Sequence, residues 1–151
     1  MRISARADYA LRAAAELAAA DGEPRTAADL AEAQDIPRKF LEGILTSLRR
    51  DGVVMSQRGP GGGFRLAREA RDVSLADVVR AVDGPLVFVR DERPSELVYA
   101  GAAEALLPVW VAMRASVRSV LERISLADLV DGTMPADLRS LADDDAAWEN
   151  P

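Results

Sequence analysis

Four glycines and a proline stand together in Arg58-Gly59-Pro60-Gly61-Gly62-Gly63-Phe64-Arg65-Leu66, between two short β-prone runs. Glycine reaches positive φ without a Cβ clash, and proline fixes its own φ. The segment reads as the tip of a β-hairpin, with strands over Val53–Arg58 and Phe64–Ala67. Such a backbone can approach another molecule closely, and the flanking Arg58, Arg65 and Arg68 point to an anionic one. No Gly-Lys-Ser/Thr follows, and the segment leads into a strand, which argues against a nucleotide-cradling loop.

Upstream, the sequence predicts three helices. In the first, Arg2 to Ala20, residues Ile3, Ala7, Ala10, Leu11, Ala14, Leu17 and Ala18 recur at three- and four-residue steps on one face. Thr26 and Asp29 form a capping-box start for a short second helix, with Leu30 and Ala33 on its apolar side. Gln34-Asp35-Ile36 makes a turn, and Pro37 opens a third helix whose buried face is Phe40, Leu41, Ile44, Leu45 and Leu48. Arg38, Lys39, Glu42, Thr46 and Arg49 fall largely on its other face. A helix pair followed by a glycine-tipped hairpin describes a winged helix-turn-helix. The expected fold class is therefore mainly α with a small β-hairpin wing.

Beyond the wing, Ser74 and Asp77 cap another helix, stopped at Asp83-Gly84-Pro85, and Leu86–Val89 reads as a strand or an extended connector. The expected division is a winged domain over 1–89, a linker over 90–101, a long helix with a following turn over 102–131, and a mobile acidic tail over 132–151. Leu106, Trp110, Met113, Val117, Val120, Leu121 and Ile124 make an apolar stripe along the long helix. Such a helix is too apolar to stand alone in water, so the stripe is a candidate dimer interface. Pro108 either starts this helix or kinks it.

The net charge of −6 is unevenly placed. Residues 1–72 carry 12 basic against 11 acidic side chains, and residues 73–151 carry 7 against 14. Over 38–68 there are seven basic residues and two acids. Nucleic acid is thus the partner to expect on the third helix and the wing, with the acidic half facing away. The chain has no cysteine and no histidine. Disulfides and thiolate-held metal sites are excluded, and the commonest general base is missing, so an enzyme is not expected. No run approaches the roughly 20 apolar residues of a membrane helix, and the N-terminus lacks a signal-peptide pattern. A cytoplasmic protein without a membrane partner is expected.

The chemistry follows from position. A recognition helix meets base edges with its N-terminal residues, here Arg38, Lys39 and Glu42, with Thr46 one turn on. Arg and Lys donate to guanine, and Glu42 can accept from cytosine. Arg58 suits a narrow minor groove. The amides of Gly61, Gly62 and Gly63 suit phosphate oxygens, and Arg65 and Arg68 add charge neutralisation. The alternative is a winged-helix protein-interaction module without sequence-specific DNA binding.

Several segments together resemble the Rrf2-type bacterial transcription regulators. They are Ser4–Arg12, Ile36-Pro37-Arg38-Lys39-Phe40-Leu41-Glu42, Leu48–Val54, the run Arg58–Ala67 that includes Gly59, and Leu75-Ala76-Asp77-Val78. The likeness is close over about 1–89 and resumes with the long helix and Ser125–Leu129. It implies a homodimer whose long helices cross, a palindromic double-stranded DNA operator, repression, and base reading by Glu42 and its predecessors with Arg58 in the minor groove. Many members hold an iron–sulfur cluster on three cysteines before the long helix. That loop has none here, and Asp8, which matches an extra non-cysteine ligand position, cannot hold a cluster alone. No metal or cofactor is therefore expected. A small-molecule effector between the winged domain and the long helix, walled by Tyr9, Phe88, Trp110 and Met113, or a protein effector, are the candidate signals.

Overall fold

The computed structural model describes residues 3–90 and 92–149. Helix α1 (Ala5–Ala19) begins three residues later than the periodicity predicts, because Ser4 adopts an extended backbone and its hydroxyl accepts from the Ala7 amide. Arg2 lies outside the described residues. Ala7, Ala10, Ala13, Ala14 and Leu17 form the buried face, while Ile3, ahead of the cap, is exposed. Small side chains on that face let α4 (Leu75–Asp83) pack along α1.

Helix α2 (Ala27–Gln34) carries the expected capping box, Thr26 and Asp29 exchanging hydrogen bonds of 3.0 and 3.1 Å. Leu30 is buried, but Ala33 is exposed. Asp35 turns the chain in the left-handed region (φ +49°), which a short polar side chain tolerates. Helix α3 (Arg38–Arg50) follows, burying Leu41, Ile44, Leu45 and Leu48. Phe40 does not join them and is 62% exposed. At about 100° per residue it lies roughly 90° from the centre of that face.

Strands β1 (Val54–Gln57) and β2 (Gly63–Leu66) pair antiparallel, with Gln57 opposite Gly63. Phe64 also exchanges backbone hydrogen bonds with Arg25 (2.7 and 2.9 Å), which seats the wing on the segment before α2. Leu86–Val89 forms no strand beyond an isolated bridge between Val89 and Glu92. The expected linker is pinned down, since Pro94 and Leu97 are buried and the Tyr99 hydroxyl accepts from the Trp110 indole N–H at 3.0 Å.

Helix α5 (Leu106–Leu121) has Pro108 in its first turn, where a missing N–H costs nothing; the proline starts the helix rather than kinking it. The chain then returns to the winged domain. The Leu75 amide donates to the Ile124 carbonyl and Leu126 donates to Val73, so the caps of α4 and α6 (Leu126–Asp131) lie side by side. Ile124, Leu126 and Leu138 enter the same core as Leu17, Leu41 and Val78. The segment over 132–151, expected as a mobile tail, contains α7 (Ala136–Ala142), held by Leu138 and by a two-pronged Arg123–Asp137 ion pair at 2.6 and 2.7 Å.

Candidate nucleic-acid interface

Helix α3 is fixed from behind. Arg6 on α1 donates to the half-hidden Ser47 hydroxyl at 2.7 Å and to the Gly43 carbonyl at 3.4 Å. Arg12 reaches both Gln34 at the end of α2 and Asp8 at 3.2 Å. These arginines, which lie off the apolar face of α1, clamp it to the helix pair. With its apolar face in the core, α3 presents Arg38, Lys39, Phe40, Glu42, Gly43, Thr46, Arg49 and Arg50 outward. Arg38 and Glu42 pair across one turn at 3.3 Å with both side chains more than 60% exposed. Such a pair is worth little in water and opens readily. Thr46 donates its hydroxyl proton to the Glu42 carbonyl at 2.9 Å, leaving its methyl and lone pairs outward. Arg49 reaches Ser56 of β1 at 3.4 Å, linking the end of the helix to the wing.

The wing tip is a type II turn: the Gly62 amide donates to the Gly59 carbonyl at 2.9 Å across Pro60 and Gly61, and Gly61 has φ +72°. This corrects the expectation for one of the three glycine amides. That of Gly62 is spent inside the turn, and Gly63 is glycine because the Arg25 backbone lies against it. A Cβ there would sit 2.5 Å from the Arg25 oxygen. Arg58, Gly59, Pro60 and Gly61 form the exposed tip.

Of the arginines expected at phosphates, Arg68 is engaged by other groups and Arg65 is half-buried. Arg65 is half-buried in a groove with Leu17, Asp21 and Gly22, and its Nε is buried without a partner among the described residues. Arg68 bonds the Asp72 carbonyl (3.0 Å) and Asp77 (3.4 Å). Sequence reasoning missed Phe40, whose ring meets Tyr9 edge-on, centroids 6.5 Å apart. Its offset from the Leu41–Leu48 face was the available signal.

The expected effector wall separates into two places. Phe88, Trp110 and Met113 line one cavity of about 590 Å³ with Ala7, Val79, Leu86 and Val87. Tyr9 is two residues from Ala7, roughly 200° around α1, and stands under Phe40 and Arg12 instead. The apolar stripe of α5 also divides. Trp110, Met113, Val117, Val120 and Leu121 are half-buried against this chain's own domain, and Ile124 lies past the helix end in the core. Leu106 remains exposed, as do Val109 and Val111 on other faces. Among the described residues no helix is long and apolar enough to cross a membrane.

Comparison with known proteins places this geometry. The profile of the Rrf2 family, described as iron-dependent transcriptional regulators, matches residues 3–132. A Mycobacterium tuberculosis protein named as an HTH-type transcriptional regulator is 51% identical over 151 residues, spanning 99% of this chain and 94% of that one. The structure of CymR, the global cysteine regulator of Bacillus subtilis, superposes with a TM-score of 0.74 at 29% identity, covering 89% of this chain and 99% of the other. IscR of T. potens superposes at 0.69, also at 29% identity, covering 100% and 93%.

Proposed function

This chain belongs to the Rrf2 family of DNA-binding transcription regulators, and from that premise we propose a homodimeric repressor of a palindromic operator that works without an iron–sulfur cluster. One observation carries the reading: an outward α3 face with Arg38, Lys39, Glu42 and Thr46, linked through Arg49 to a glycine-tipped wing that exposes Arg58. A helix of this kind fits the major groove, and an arginine on a narrow tip fits the minor groove. Breaking the exposed Arg38–Glu42 pair frees the guanidinium for guanine and the carboxylate for a cytosine amino group. Phosphate neutralisation falls to Arg49, Arg58 and the half-buried Arg65 rather than to Arg68, which is bonded to Asp72 and Asp77.

The family description speaks of iron, but the donor set here does not fit a thiolate-held cluster. The chain has neither cysteine nor histidine, and Asp8, the one position resembling a cluster ligand, is ion-paired with Arg12. The regulator's signal therefore has to enter by another route.

The test is fluorescence anisotropy of the purified protein on DNA from its own upstream region, against a scrambled duplex, at two salt concentrations. The expected result is preference for the native sequence. Log affinity should fall against log salt by about 0.9 for each phosphate neutralised. Equal binding to both duplexes at every salt concentration would favour an interaction module that does not read sequence.

A further inference from the structure

We propose that the junction of α4 and α5 is a binding site for a small dianion, of the phosphomonoester or di- to tricarboxylate class. Four arginines converge on one cavity of about 310 Å³: Arg80 on α4, Arg93 in the pinned loop, and Arg114 and Arg118 one turn apart on α5. Gly84, Pro85 and Leu86 complete the wall. The volume is where small-ligand pockets begin, at roughly 300 Å³.

The charge is only half balanced. Arg80 and Arg118 share the Glu122 carboxylate, which Arg118 and then Arg80 hold below the usual carboxylate range. Arg80 also lies 3.9 Å from Asp77. The guanidinium groups of Arg93 and Arg114 have no ion pair within 4.0 Å among the described residues, although the Glu96 carboxylate accepts from the Arg93 backbone amide at 3.4 Å. Four guanidinium charges against two carboxylates leave two positive charges facing one pocket. Like charges one helical turn apart destabilise a helix. Four of them gathered against two carboxylates leave repulsion that opposes folding, as a site does when its ligand is absent. Guanidinium forks match phosphate and carboxylate oxygens in pairs, so a dianion both neutralises the pocket and fills its donors. Pro85 and Leu86 add an apolar edge for the rest of a metabolite.

The anion would bridge α4, whose other side packs on α1 and α3, to α5. That this occupancy is the regulator's signal rests on the DNA-binding reading; the site itself does not.

Isothermal titration of the full-length protein, without DNA, tests the site with inorganic phosphate and with citrate, chloride being the ionic-strength control. The double variant Arg93→Gln/Arg114→Gln is the comparison, since neither guanidinium takes part in an ion pair among the described residues. The expected result is saturable binding of phosphate or citrate that weakens at least tenfold in the variant, while the variant without ligand melts no lower than the native protein. Absence of saturable binding, or binding unchanged in the variant, overturns the site. Binding lost instead in Arg58→Ala places the anion on the DNA face and also overturns it. Operator affinity, measured with and without the anion, is a separate readout. Affinity unaltered by bound anion removes the signalling role, whereas failure to bind any operator counts against the regulator and leaves the anion site standing.

Discussion

At the scale of single residues, the glycines of the wing have different reasons for being glycine. Gly61 needs only its left-handed backbone, and a Cβ there meets open space. Gly63 has φ +151° and would drive a Cβ into the Arg25 carbonyl, at 2.5 Å. Gly61→Ala should therefore cost about 1 kcal/mol, the ordinary penalty for a side chain in the left-handed region. Gly63→Ala adds backbone collision to strain and should cost about 3 kcal/mol. It should also break the Arg25–Phe64 bridge and detach the wing. Urea unfolding of the two variants checks the order; equal losses would mean the wing is not seated on Arg25. Glu42 belongs to the same scale but answers a different question. Its carboxylate is exposed and contributes little to folding, so Glu42→Ala should leave the urea midpoint almost unchanged. On DNA it should flatten the ranking of operator variants at one base pair by about 1–3 kcal/mol of discrimination. Operator competition reads that flattening, and an unaltered ranking would remove the base-reading role.

At the scale of elements, capping is what the sequence states most openly. Ser74–Asp77 and Thr26–Asp29 were legible because a hydroxyl three residues before a carboxylate is a local signal, and the structure builds both boxes. Ser125–Asp128 is a third. Less legible were the features set by distant contacts. Leu138 looks like one apolar residue in an acidic stretch, yet it docks α7 into a core that gathers residues from Ala10 on α1 to Leu126 on α6. Arg6 and Arg12 look like surface charges until α2 and α3 are in place. Periodicity says which residues share a face, but not which partner covers it, so Ile124 was taken with a stripe that ends before it. Two predictions follow from these attachments. Leu138→Ala should cost about 2 kcal/mol and open the chain beyond Gly132 to protease, which limited proteolysis followed by mass spectrometry would locate. The carboxylates of the boxes supply the second. Asp128 is held below the usual aspartate range, chiefly by the Ser125 hydroxyl, and Asp29 likewise by Thr26. A folded pKa below the unfolded one contributes stability that is complete above the unfolded value and disappears as pH falls through the folded value. The urea midpoint should therefore decline below about pH 5, and Asp128→Asn should make that decline shallower. A parallel decline in both proteins would show that the box does not titrate with folding.

At the scale of the whole molecule, the proposed dimer needs a side of α5 on which a second copy fits. The stripe read from sequence turns out to be the side that α5 lays on its own winged domain, closing the cavity with Trp110 and Met113. The opposite side is not polar. Val111 is about half exposed there with Ala112 and Ala115 exposed beside it, while Val109 is half exposed on a flank of the stripe. At 1.5 Å per residue the 16-residue helix is about 24 Å long, enough for two such helices to cross and bury a shared apolar strip. The overall charge of −6 opposes close approach of DNA unless two basic faces act together, and a dimer doubles the helix-and-wing surface while its acidic segments lie elsewhere. Val111→Asp tests this directly, because an aspartate on the outward side, about 160° around the helix from Met113, leaves the intrachain packing of Trp110 and Met113 untouched. The variant should keep its helical circular dichroism and its melting temperature at low protein concentration, sediment as a monomer, and bind a two-half-site operator at least tenfold more weakly. Its affinity for a single half-site should match that of the native protein, since α3 and the wing are intact. A variant that still sediments as a dimer would move the interface to the half-buried stripe, and α5 would then have to lift from its own domain to pair.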